Sequence, residues 1–235
     1  MKKILIILII LILKQGFSAP KDKYIKRIKV AEEILEYMLT RPDVSIPVYL
    51  VKECYGIIFI RQFKGGFIIG GKGGEGIVIA RDKEKGTWSA PGFIASIQAS
   101  FGWQIGAQMT DLILLIMNEN GLKMLTTTKV KIGTDISVAA GPDGREFESK
   151  VSPGVSILAY GRSKGFFGGL SIEGGAIFSD DKANQEFYEK KGLRLKDILF
   201  KEGFPIPKEA EKLINLLKKY EEIEILVEKK EKNKN

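Results

Sequence analysis

Four hydrophobic patterns follow one another along the chain. The first is an unbroken run of ten aliphatic residues, Ile4 to Leu13, preceded by Met1-Lys2-Lys3 and followed by Lys14 to Pro20. A charged start and an apolar run of this length make the pattern of a secretory leader. The run is shorter than the roughly 20 residues a membrane-spanning helix needs. Residues 1–19 are therefore read as a signal peptide, cut most favourably after Ser18 because Pro20 hinders a cut directly before it. The expected location is the periplasm or cell envelope.

The second pattern has helical period. Between Lys21 and Thr40, Ile25, Ile28, Ala31, Leu35, Met38 and Leu39 recur every three or four residues and define one apolar face. Lys23, Lys26, Arg27 and Lys29 crowd the first half, and Glu32, Glu33 and Glu36 the second. Two readings are open: an amphipathic helix settling its basic end on anionic lipid, or an ordinary helix packed on the core with a solvated outer face. Pro42 ends the element either way.

The third pattern has strand character. Twenty-three of the 26 glycines lie between Gly56 and Gly175, among β-branched and aromatic runs such as Gly56–Ile60, Gly66–Gly70, Gly76–Arg81 and Phe93–Gly102. Glycine inside strands, and not only at turns, points to bulges or to backbone packed against backbone. The expected fold is therefore α+β, with a strongly curved, Gly-rich antiparallel sheet or barrel-like core. A single buried helix is predicted to interrupt the strands at Leu112–Met117, capped by Thr110 or Asp111 and stopped at Asn120-Gly121. Further strands are expected near 130–132, 136–140, 155–161 and 166–178.

The fourth pattern is again helical: a short helix around 193–200, then a C-terminal helix from Pro207 to about Lys229 with a stripe of Ala210, Leu213, Ile214, Leu217 and Tyr220. The organisation that follows is a signal peptide at 1–19, a central domain at 21–190, and a helical extension with a charged tail at 191–235.

Composition narrows the chemistry. The 235 residues contain no histidine and one cysteine, Cys54. Nucleophilic centres that need histidine, and zinc sites that need histidine or several cysteines, are excluded, as are intramolecular disulfides. Cys54 is expected to be a buried packing residue. The net charge is +8, of which Lys2, Lys3 and Lys14 belong to the leader, leaving +5. That excess favours anionic surfaces such as phospholipid headgroups, and no stripe of bases interleaved with aromatics suggests nucleic acid.

Gly71, Gly73, Gly76 and Val78 spell G-x-G-x-x-G-x-V, but no H-R-D or D-F-G accompanies them. Ile77 to Ala80 read as a strand where a dinucleotide fold needs a helix. No cofactor is expected, and no catalytic residue. Asp111, Asp135, Arg145 and Glu173 stand isolated among small and apolar residues; they form either a functional constellation or buried partners that lock curved strands, and buried charges need pairing.

A family resemblance rests on several segments in order: Gly56-Ile57-Ile58, Lys64 to Phe67, Gly70 to Gly76 with Arg81, and Trp88-Ser89-Ala90-Pro91-Gly92-Phe93. It continues with Gly102-Trp103-Gln104-Ile105-Gly106, Thr110-Asp111, Gly133 to Arg145, and Tyr160 to Gly174. Over residues 25–190 the chain resembles the SYLF (Ysc84-like) family in its bacterial, exported form. The resemblance implies a non-enzymatic lipid-binding module. Eukaryotic relatives bind phosphoinositides and associate with actin patches; neither actin nor phosphoinositide specificity carries over to a bacterial envelope, where a general anionic-lipid preference is the safer inference. The expected contacts are Lys23, Lys26, Arg27 and Lys29, with Lys64, Lys72 and Lys164 from loops. The competing expectation is a structural or partner-docking envelope protein without a specific lipid ligand.

Overall fold

The computed structural model describes residues 21–40, 46–66, 69–101, 108–127, 129–141, 154–162 and 175–232. Helices α1 (Asp22–Thr40) and α2 (Val48–Glu53) lead into strands β1 (Gly56–Gly66), β2 (Ile69–Asp82), β3 (Thr87–Trp88), β4 (Gly92–Phe101) and β5 (Gln108–Ile116). Then come α3 (Glu119–Leu125), β6 (Val130–Lys131), β7 (Val138–Ala140), β8 (Ile157–Arg162) and β9 (Gly175–Ser179). Helices α4 (Asp181–Phe187), α5 (Leu195–Phe200) and α6 (Glu211–Lys232) close the chain. The leader assigned to 1–19 lies outside the described residues.

The strands form one sheet in the order β6-β9-β4-β2-β1-β5-β8-β7, with β3 paired to β2. All pairings are antiparallel except β7 with β8. Its curvature follows from one connection. Laid flat, eight strands would hold β6 and β7 about 34 Å apart, yet the segment joining Lys131 to Val138 reaches at most about 24 Å fully extended. The sheet therefore has to curl, and Ile132 is bridged to Ile136 across the gap. Gly133 takes a φ of 85° in this turn, a conformation suited to glycine. The Asp135 carboxylate accepts a hydrogen bond from the Lys131 amide at 2.8 Å.

Curling buries the strands on both faces. Ile57, Phe59, Ile77, Phe93, Ile113 and Leu115 face outward under α1, α2, α4 and α6, sharing a core with Tyr24, Ile28, Leu50, Phe187, Leu213 and Leu217. Ile58, Ile60, Val78, Ile94, Leu112, Leu114 and Ile116 face inward, where Leu122 and Leu125 of α3 and Leu195 and Leu199 of α5 fill the hollow. Helix α6 thus belongs to the same core as the sheet.

One prediction is corrected here. Leu112–Met117 is not a helix: residues 108–116 form β5, and the helix follows at Glu119–Leu125. The apolar run has no polar face because a strand buried on both sides needs none. Asn118 caps α3, its side chain accepting the Gly121 amide at 2.7 Å, so Asn120-Gly121 opens the helix instead of stopping it. Helices α2 and α4 were not anticipated.

Cys54 is fully buried, and burial pushes its thiol up to about 12. Because the thiolate is the reactive form, an Ellman-type reagent is expected to detect no thiol in the native protein at pH 8 and one after denaturation. Prompt native reaction would contradict this packing.

Candidate functional site

Across the outward face of the sheet, three successive registers change character. In the first, Ile113, Phe59, Ile77 and Phe93 lie side by side on β5, β1, β2 and β4, all buried under α1. In the second, Asp111, Arg61, Glu75 and Ala95 are in register. Helix α1 reaches this belt with two side chains: Arg27 bonds Glu75, and Glu33 approaches Arg61 at 3.4 Å. In the third, Met109, Phe63, Gly73 and Ile97 are in register beyond the helix. Phe63 and Met109 are each 55% exposed and Ile97 is 46% exposed. Gly73 lies between Phe63 and Ile97 with open space above its Cα.

The belt is ionic and internally satisfied. Arg61 donates to Asp111 through Nε at 2.6 Å and Nη2 at 2.9 Å. This bidentate bond, with the added charges of Asp111 and Glu33, raises the Arg61 pKa above its ordinary value. Asp111 is only 5% exposed.

Arg27 behaves alike. Its side chain is 9% exposed and donates to Asp180 at 2.7 Å and to Glu75 at 2.9 Å, and its guanidinium sits over the rings of Tyr24 and Phe93. Asp180 also caps α4, accepting the Ala183 amide. Arg27 is thus a strut between α1, β2 and α4, which removes it from the set of cations open to a ligand. Sequence spacing placed it on the basic face; only the three-dimensional approach of Glu75 and Asp180 shows where its charge goes.

The remaining expected cations divide as follows. Lys26 and Lys29 are exposed on α1. Lys23 is exposed, pairs with Glu186 at 3.3 Å and lies over the Tyr24 ring. Lys64 and Lys72 are register partners on β1 and β2, one residue past the third row on each strand. Lys164 lies outside the described residues. Lys64 and Lys72 thus lie at strand ends beyond the belt, while Lys26 and Lys29 belong to the helix that crosses it.

Among the described residues, the inward face of the sheet is closely packed by Leu122, Leu125, Leu195 and Leu199. Towards the open end the lining turns polar at Gln62 and Ser96, and the remaining void measures about 10 Å³, space for at most one water. A crevice of about 710 Å³ lies elsewhere, between the β2–β3 turn and α5, walled by Trp88, Arg81, Leu199 and Phe204, with Lys85 and Glu202 paired across it. Among the described residues no group of acidic or cysteine side chains is placed to hold a metal ion, and no helix is long and apolar enough to cross a membrane.

Residues 97–220, more than half of the chain, match the Ysc84 family, described as Las17-binding protein actin regulator. The chain belongs to the Ysc84 family. Protein YSC84 of Saccharomyces cerevisiae is 39% identical over 151 residues, which are 62% of this chain and 32% of the yeast protein. LAS seventeen-binding protein 3 of the same yeast is 36% identical over 151 residues, covering 62% of this chain and 33% of that protein. SH3 domain-containing YSC84-like protein 1 of Homo sapiens is 31% identical over 206 residues, 86% of this chain and 59% of the human protein. The chain thus spans less than two thirds of each of these relatives. No solved structure matches. The relatives are named for binding and for their domains, not for a reaction.

In this Ysc84-family chain several of the motif residues have structural partners. Arg81 donates to Glu221 of α6 and to the Lys52 carbonyl, tying the sheet to α6 and α2. Trp88 is buried in the core beneath it. Asp111 holds Arg61. Asp135 is exposed, so the buried-partner alternative of its two readings does not hold; it braces the turn that closes the curl. Arg145, Glu173 and Trp103 lie outside the described residues.

Proposed function

We propose that the chain is a non-enzymatic lipid-binding protein that, once exported, associates peripherally with anionic phospholipid membrane. The observation that carries this reading is the row of exposed lysines on α1, Lys23, Lys26 and Lys29, which offers an anionic bilayer a cationic face at the protein surface. The exposed Lys26 and Lys29, with Lys23, Lys64, Lys72 and Lys164, supply the cations, each worth about 1 kcal/mol beside an anionic leaflet.

The test uses the chain recovered after secretion, whose N-terminus is expected at Ala19. It should co-sediment with phosphatidylglycerol-containing vesicles at low salt, less at high salt, and little with phosphatidylcholine alone. Lys26→Glu combined with Lys29→Glu is expected to weaken the binding at least about thirtyfold. Equal binding to neutral and anionic vesicles, insensitive to salt, would overturn the reading.

A second reading, docking on another envelope protein, draws on the relatives' printed names, which specify a Las17-binding protein and an SH3-containing one. A pull-down that recovers one stoichiometric partner, from a protein that ignores vesicles, would favour it.

A further inference from the structure

We propose that the bilayer is met by the glycine-rich end of the sheet, with Phe63, Met109 and Ile97 entering the headgroup–acyl boundary. This rests on the lipid reading above and names the surface that serves it.

Three observations lead there. The first is the exposed row itself. Three large apolar side chains in register across β5, β1 and β4 lie outside the core, separated from it by the Arg27–Glu75 and Arg61–Asp111 belt. Had the row been meant for α1, the helix would have covered it; instead α1 meets the belt with charged groups and goes no further. Scattered exposed hydrophobics are ordinary on any protein, but three that share one register row, with only Gly73 between Phe63 and Ile97, mark out a contact surface.

The second is charge. Beyond the belt, the described strand ends read Gln62 to Gly66, Ile69 to Gly74, Ser96 to Phe101 and Gln108 to Thr110. They contain Lys64 and Lys72 and no acidic residue, in a chain that has 29. A protein partner would ordinarily be met by a rim of both signs, whereas an anionic leaflet selects cations and rejects carboxylates.

The third is topology. Gly66 pairs with Gly70, Ile69 with Phe101, Lys64 with Gln108, Asp111 with Arg162 and Gln98 with Gly175. The described strand ends Gly66, Ile69, Phe101, Gln108, Arg162 and Gly175 therefore gather at this one end of the sheet, so the exposed row and the lysines of β1 and β2 belong to one surface instead of to scattered positions.

The experiment compares the secreted protein with its Phe63→Ser/Met109→Ser variant in flotation with phosphatidylglycerol vesicles. Both side chains are exposed, so thermal unfolding should match the parent, and binding should fall by at least about tenfold. A Met109→Trp, Trp103→Phe protein is then titrated with the same vesicles carrying brominated acyl chains. Its other indole, Trp88, is buried at the far end of β2, so quenching beyond that of the Trp103→Phe parent reports position 109 in the bilayer. Parent binding with undiminished binding of the double variant and no extra quenching would overturn this surface while leaving the lipid reading intact. Failure of the parent to bind anionic vesicles would overturn both.

Discussion

Gly76→Ala is expected to cost at least about 3 kcal/mol or to abolish the native fold. A methyl on Gly76 would sit 2.0 Å from the carbonyl oxygen of Phe59, 2.9 Å from its carbon and 3.0 Å from the Ile60 Cα. All three are backbone atoms of the neighbouring strand, where Gly76 is the register partner of Ile60, so no rotamer change relieves the clash. Only separation of β1 from β2 would, at the centre of the sheet and between two cores.

The control lies three residues away on the same strand. A Cβ on Gly73 meets nothing within 4 Å, so Gly73→Ala should stay within about 0.5 kcal/mol of the parent, and could gain that much because alanine loses less backbone entropy than glycine. Urea unfolding of the two variants measures both. Equal midpoints would show that β1 and β2 do not approach as closely as described.

The second large effect is expected at the belt. Asp111→Leu should destabilise by about 2–3 kcal/mol, since it leaves the half-buried Arg61 guanidinium without its bidentate acceptor. The figure falls at the low end for a broken buried pair because Arg61 keeps some solvent and its approach to Glu33. Arg61→Leu/Asp111→Leu should recover much of the loss, because the cost lies in an unmatched charge more than in a missing attraction. A double variant no better than the single would show that Asp111 acts through another contact.

The elements legible in the sequence are those whose pattern answers to one environment. Helix α1 has one buried stripe and one wet face, and so does the first half of α6; their periods announce them. The strands of the glycine-rich middle were placed by β-branched runs and turn residues. Internal glycines signalled close backbone approach, and Gly76 against Phe59 is that approach.

The misreading came where periodicity carries no information. Leu112 to Ile116 is apolar at every position because Ile113 and Leu115 serve the outer core while Leu112, Leu114 and Ile116 serve the inner one. A helix buried all round would look the same, and only its length of five residues favoured a strand. Helix α4 hides for the opposite reason. Its sequence, Asp181 to Phe187, buries only Ala183, Asn184 and Phe187. Its anchor is a polar one: Asn184 accepts the Phe93 amide and donates to the Phe93 carbonyl, extending the hydrogen-bonding edge of β4. The Asp180 cap was the available signal.

The same limit applies to the site. Net charge and the basic half of α1 suggested a lipid surface, but residue type could not tell Arg27, enclosed by Glu75 and Asp180, from Lys26 and Lys29 beside it. Nor could it show that Phe63, Ile97 and Met109, far apart in the chain, share a row. Register alone brings them together.

Amide hydrogen exchange of the secreted protein, with and without phosphatidylglycerol vesicles, tests the central claim most directly. Slower exchange is expected at the ends of β1, β2, β4 and β5 around Phe63, Lys72, Ile97 and Met109, with no change around Trp88 and α5. Vesicle binding that leaves these strand ends unaltered, or that protects the Trp88 crevice in their place, would contradict a bilayer met at the glycine-rich end of the sheet.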